Sequence, residues 1–104
     1  MTPELKARFD NEIKNNKIVI YMKGNPLFPQ CGFSAAAVQA LMPLGEIYPV
    51  DVLADREVRD GIKEYSKWPT IPQIYINGEF VGGSDIIREL VQRGELEALV
   101  NGAK

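Results

Sequence analysis

Lys23-Gly24-Asn25-Pro26-Leu27-Phe28-Pro29-Gln30-Cys31-Gly32-Phe33-Ser34 joins an apolar run to an alanine-rich one and carries the only cysteine in the sequence. Before it, Lys17-Ile18-Val19-Ile20-Tyr21-Met22 has the β-branched and aromatic composition of a buried strand. After it, Ala35 to Met42 has the propensity of a helix, with Val38, Leu41 and Met42 spaced along one face. Cys31 therefore falls at or just before a helix start. Unpaired backbone N–H groups and the positive end of the helix dipole favour an anion there, which pushes a thiol towards thiolate. A free cysteine is most often a small buried hydrophobe. Two preceding prolines and a following glycine put this one at a loop tip instead.

Working outward, Thr2-Pro3-Glu4 reads as an N-cap, a first helical position and an acidic first turn. Leu5, Phe9 and Ile13 then follow four apart on one face, and Asn15-Asn16 closes the helix. Beyond the alanine-rich helix, which breaks at Pro43 to Gly45, Ile47 to Val52 is a second strand that Pro49 demotes to an edge or a bulge. Asp55 caps a helix running to about Ser66, with Val58, Ile62 and Tyr65 as its buried stripe. Trp68-Pro69-Thr70-Ile71-Pro72 is a stiff entry to a hairpin in which Gln73 to Ile76 and Glu79 to Val81 flank Asn77-Gly78. Gly82-Gly83-Ser84-Asp85 leads into a helix with Ile86, Ile87, Leu90 and Val91 that stops at Gly94, and Glu95 to Val100 is a last short helical stretch.

This order predicts an α/β fold: a four-stranded mixed sheet with helices on both faces, where right-handed crossovers place them. At 104 residues the chain suits one domain, 1–104, with one core. A net charge of -2 with no block of like charge argues against a nucleic-acid or membrane partner. The absence of histidine removes the commonest general base and metal ligand. One cysteine closes no internal disulfide, and no apolar run resembles a signal peptide or membrane span. The expected compartment is a reducing one, the cytoplasm, and a processed organellar form would read the same way.

Four motifs in order, Lys23-Gly24, Cys31-Gly32-Phe33-Ser34, Trp68-Pro69-Thr70-Ile71-Pro72-Gln73 and Gly82-Gly83-Ser84-Asp85, resemble those of the monothiol glutaredoxins of the CGFS class, which have a thioredoxin-like fold. The likeness runs from about Lys17 to Leu99. Ser34 in place of a second cysteine leaves Cys31 without a resolving thiol, so a second thiol must come from outside, and the abundant small one in a reducing compartment is glutathione. Ser34 reads equally as a polar residue in a first helical turn.

The resemblance implies a glutathione site. Lys23 and Arg59 resemble the cations for the glycyl carboxylate, although either alone reads as a solvated charge. Ile71-Pro72 resembles the cis-proline dipeptide that turns the Ile71 backbone towards the ligand's peptide. Gly83, Ser84 and Asp85 stand at a helix N-terminus suited to a carboxylate, with the Asp85 side chain available to the γ-glutamyl ammonium; plain helix capping is compatible with both. Many members of the class carry cysteine where this chain has Ser84. Phe33 and Trp68 are given no chemical role.

Two functions compete. In the first, Cys31 is a metal ligand: a [2Fe-2S] cluster needs four thiolates, met by two subunits and two glutathiones. Such a homodimer would work in cluster assembly or transfer with apo iron-sulfur acceptors and BolA-like partners, as the class does. In the second, Cys31 is a nucleophile on protein-glutathione mixed disulfides, an activity expected to be weak.

Overall fold

The computed structural model describes residues 1–102. Its elements are α1 (Pro3–Asn15), β1 (Ile18–Met22), α2 (Gly32–Leu41), a 3₁₀ turn (Met42–Leu44), β2 (Tyr48–Asp51), α3 (Arg56–Ser66), β3 (Gln73–Ile76), β4 (Glu79–Gly82), α4 (Ser84–Gln92) and α5 (Leu96–Val100). The sheet order is β2-β1-β3-β4. β1 pairs parallel to β2 and antiparallel to β3, and β3 pairs antiparallel to β4, so the sheet is mixed, as expected. Pro49 lies in β2 at the sheet edge, where its missing N–H disrupts no second ladder.

All five residues of β1 are buried, because the strand is central and covered on both faces. Its alternation divides the core. Ile18, Ile20 and Met22 pack with Ala37, Val38 and Leu41 of α2, Ile87 of α4 and Leu96 and Val100 of α5. Val19 and Tyr21 pack on the opposite side with Phe9 and Ile13 of α1 and Val58 and Ile62 of α3.

On the α1 side one charge is taken inside. Glu12 accepts hydrogen bonds from the Tyr21 hydroxyl at 2.9 Å, the Tyr48 hydroxyl at 3.2 Å and Arg8 Nε at 3.2 Å, which offset its loss of water.

α2 begins at Gly32 with Cys31 as its N-cap, in agreement with the expected helix start. Met42 differs from the expectation and leaves the helical face: it enters the 3₁₀ turn before Pro43 and is 56% exposed.

Candidate functional site: a cysteine cleft at the end of the central strand

The C-terminal end of β1, the start of α2, the entry to β3 and the β4–α4 turn meet around a cleft of about 720 Å³. Lys23 follows β1; Cys31 and Phe33 open α2; Trp68 to Pro72 form one wall; Gly83, Ser84, Asp85 and Ile86 form the other; and Lys63 reaches in from α3. A second hollow, about 610 Å³, lies near Asp10, Lys14, Lys17 and Tyr65 and includes none of the expected site residues.

Cys31 is the N-cap of α2, with extended backbone (φ -154°, ψ 135°), and its side chain is partly exposed. It makes no well-formed capping hydrogen bond, although the first-turn amides of Phe33 and Ser34 lie near enough to act on the sulfur. The Ser34 N–H is the main cause holding the thiol below its ordinary pKa, helped by the Phe33 N–H, the Lys23 charge and the Ser34 hydroxyl, against a smaller opposing effect of burial.

Ser34 itself is fully buried, and its hydroxyl accepts a hydrogen bond from the Lys23 N–H at 3.2 Å. The residue that replaces a second thiol therefore ties the helix to the strand end.

The loop before Cys31 is folded rather than open. Gly24, at φ +85°, bridges to Pro29, and a Cβ there would lie 2.5 Å from the Phe28 carbonyl, so only glycine fits. Asp51 Oδ1 accepts from the Gly24 N–H at 2.9 Å, and Asn25 Oδ1 accepts from the N–H groups of Leu27 and Phe28. The turn leaves Leu27 (84%), Phe28 (69%) and Phe33 (63%) exposed, an apolar rim on the cysteine side of the molecule.

On the opposite wall the Ile71–Pro72 peptide is cis. The N–H and C=O of Ile71 make no hydrogen bond among the described residues. Gly83 is the N-cap of α4 and is closely approached by the opposite wall: a Cβ would lie 3.2 Å from the Pro72 carbonyl oxygen, a tight contact, and 3.5 Å from Trp68 Nε1. Asp85 is exposed and holds Arg88 through an ion pair of 3.2 Å.

Seven of the eight expected residues, Lys23, Cys31, Ile71, Pro72, Gly83, Ser84 and Asp85, line this cleft. Arg59 does not; its guanidinium pairs with Asp60 at 3.4 Å. Lys63, one turn further along α3, lines it instead. Sequence reasoning missed Lys63 because it belongs to a run of charges on the solvated side of the helix. Its spacing of four from Arg59 was the available signal.

Residues 18–81 match the Glutaredoxin family model. Over 104 residues the chain is 59% identical to a monothiol glutaredoxin, ycf64-like, of Synechocystis, covering 99% of this chain and 97% of the relative. The chain belongs to the monothiol glutaredoxins. It is also 48% identical over 94 residues to Glutaredoxin 4 of Escherichia coli K12, covering 89% of this chain and 82% of the relative. The solution structure of reduced poplar apo GrxS14 superposes with a TM-score of 0.86 at 47% identity, covering 97% of this chain and 94% of that one. These matches give this monothiol glutaredoxin its thioredoxin-like fold. No helix among its described residues is long and apolar enough to cross a membrane.

Proposed function

We propose that this monothiol glutaredoxin binds glutathione in the Cys31 cleft and, as a homodimer, carries a [2Fe-2S] cluster between protomers for delivery to apo iron-sulfur acceptors. The observation that carries this reading is the single, partly exposed, acidified thiol of Cys31 beside a cleft lined by Lys23, Lys63 and the start of α4. A volume of about 720 Å³ is in the range of small-molecule sites.

Each part of a γ-glutamyl tripeptide has a counterpart in the site. Lys23 and Lys63, with Arg59 a turn away on α3, supply positive charge for the glycyl carboxylate. The free N–H and C=O of Ile71, set by Pro72, suit the cysteinyl peptide. The N-terminus of α4 at Gly83 and Ser84 suits the γ-glutamyl carboxylate, and Asp85 its ammonium.

The donor set fits a shared cluster and no private one. A [2Fe-2S] cluster takes four thiolates, whereas this chain offers one, and no group of three or more acidic or cysteine side chains is placed to hold a metal among the described residues. Cys31 and one glutathione from each of two protomers complete the set. The apolar rim of Leu27, Phe28 and Phe33 favours a second protein surface over this position, whether another protomer, a BolA-like partner or an acceptor. The cluster is cargo, held partly by exchangeable ligands, which suits transfer. The whole chain acts as one domain, in the reducing cytoplasm that free Cys31 and glutathione require.

The acidified thiol also favours a slower second activity. Cys31 thiolate attacks the glutathionyl sulfur of a protein mixed disulfide, the protein thiolate leaves, and a second glutathione thiolate reduces the Cys31 adduct and departs as glutathione disulfide. Ser34, buried and bonded to Lys23, takes no part in resolving it.

Anaerobic reconstitution with iron, sulfide and glutathione tests the main reading. It should produce a visible charge-transfer spectrum that Cys31→Ser abolishes; a colourless protein with fast deglutathionylation would favour the second activity instead.

A further inference from the structure

Among the described residues three polar or charged side chains are buried, Glu12, Ser34 and Gln73, and the first two have their partners described above. Gln73 is fully buried at the start of β3, immediately after the cleft wall. Its Nε2 donates to the Trp68 carbonyl at 2.9 Å and to the Thr70 carbonyl at 3.3 Å, while its Oε1 has no partner among the described residues. The amide orientation follows from this pairing, since the flipped carboxamide would set an acceptor against two acceptors.

The Trp68 N–H anchors the start of the wall, donating to the Lys63 carbonyl at 3.2 Å and to Ser66 Oγ at 3.1 Å, but beyond Trp68 the wall has no hydrogen-bonded support among the described residues other than Gln73. Pro69 and Pro72 carry no N–H, and the N–H groups of Thr70 and Ile71 make no hydrogen bond within the described residues. From Trp68 through Pro72 the carbonyls tied down by a hydrogen bond are the two that Gln73 holds. An orphaned buried acceptor costs stability, so a glutamine at this site is poorly explained as core filling.

We propose that Gln73 is a positioning residue for peptide recognition: by clamping Trp68 and Thr70 it holds the free N–H and C=O of Ile71 in the orientation that pairs with the extended backbone of the cleft ligand. Gln73 does not touch the ligand, and its effect passes through the Ile71 peptide. This role rests on the glutathione reading of the cleft and adds to it the group that sets selectivity for a peptide backbone over a bare anion.

The probe is S-methylglutathione, whose blocked sulfur forms no disulfide and reports non-covalent binding alone. Calorimetric titration of Gln73→Met, which keeps the side-chain length and removes both donors, should show binding about tenfold weaker, the scale of one well-placed hydrogen bond. The decisive readout is a second ligand, S-methylglutathione N-methylated at the cysteinyl amide, which cannot donate to the Ile71 carbonyl. The wild-type protein should lose affinity on this change and Gln73→Met should lose little more; equal fold-losses in both proteins would overturn the role. Gln73→Glu should bind weakly at neutral pH and recover as pH falls and the introduced carboxyl gains a proton to donate, whereas wild-type affinity stays flat over the same range. If both variants bind as the wild type does, the Gln73 role alone fails. If the wild type binds neither ligand, the glutathione reading itself fails and takes this role with it.

Discussion

The Ser34 hydroxyl, wholly out of contact with solvent, accepts the Lys23 N–H at 3.2 Å and so joins the end of β1 to the first turn of α2. Together with the bond from the Gln30 N–H to the Lys23 carbonyl at 2.9 Å, it ties the cleft's first cation to the segment that carries the sulfur. Removing it in Ser34→Ala leaves a partly buried N–H unpaired and should cost about 1–3 kcal/mol, measured as a shift in the urea midpoint at constant slope. The same change removes one contribution to the acidity of Cys31. Unaltered stability and thiol reactivity in Ser34→Ala would leave the bond without a role.

The ionisation of Cys31 carries a definite sign. The thiolate is the nucleophile, so alkylation by iodoacetamide should rise with pH through a midpoint below the ordinary thiol value of about 8.5. Lys23→Gln should move that midpoint up only in part, because the Ser34 N–H, the larger cause, is untouched. A thiol more acidic in the folded than in the unfolded chain stabilises the fold above the unfolded value. That contribution is lost as pH falls through the folded value.

Lys63 lines the cleft and Arg59 is drawn to Asp60. Glutathione affinity should therefore fall more in Lys63→Ala than in Arg59→Ala, by about threefold for a partly solvated pair, and the difference should shrink with added salt. A larger effect from Arg59→Ala would show that its guanidinium swings away from Asp60 when ligand arrives.

Much of this architecture was legible before any coordinates, for local reasons. Asn77-Gly78 between two strand-forming runs is a strong hairpin signal, and Asn77 and Gly78 do take positive φ. Asp55 does cap α3 through the N–H groups of Glu57 and Val58. What could not be read depended on tertiary partners. Glu12 looks like one more surface charge on α1, and only the tyrosines of β1 and β2 explain its burial. Lys63 and Arg59 are equivalent in sequence, one turn apart on the same helix, and the geometry of the β1 end distinguishes them.

The central claim, that one sulfur per chain and one per glutathione together hold a cluster, is tested most directly by native mass spectrometry of the anaerobically reconstituted protein. The expected species holds two chains, two glutathiones and one [2Fe-2S] cluster, and it dissociates to apo monomers when glutathione is removed. A cluster retained by a single chain, or by two chains without glutathione, would contradict the claim.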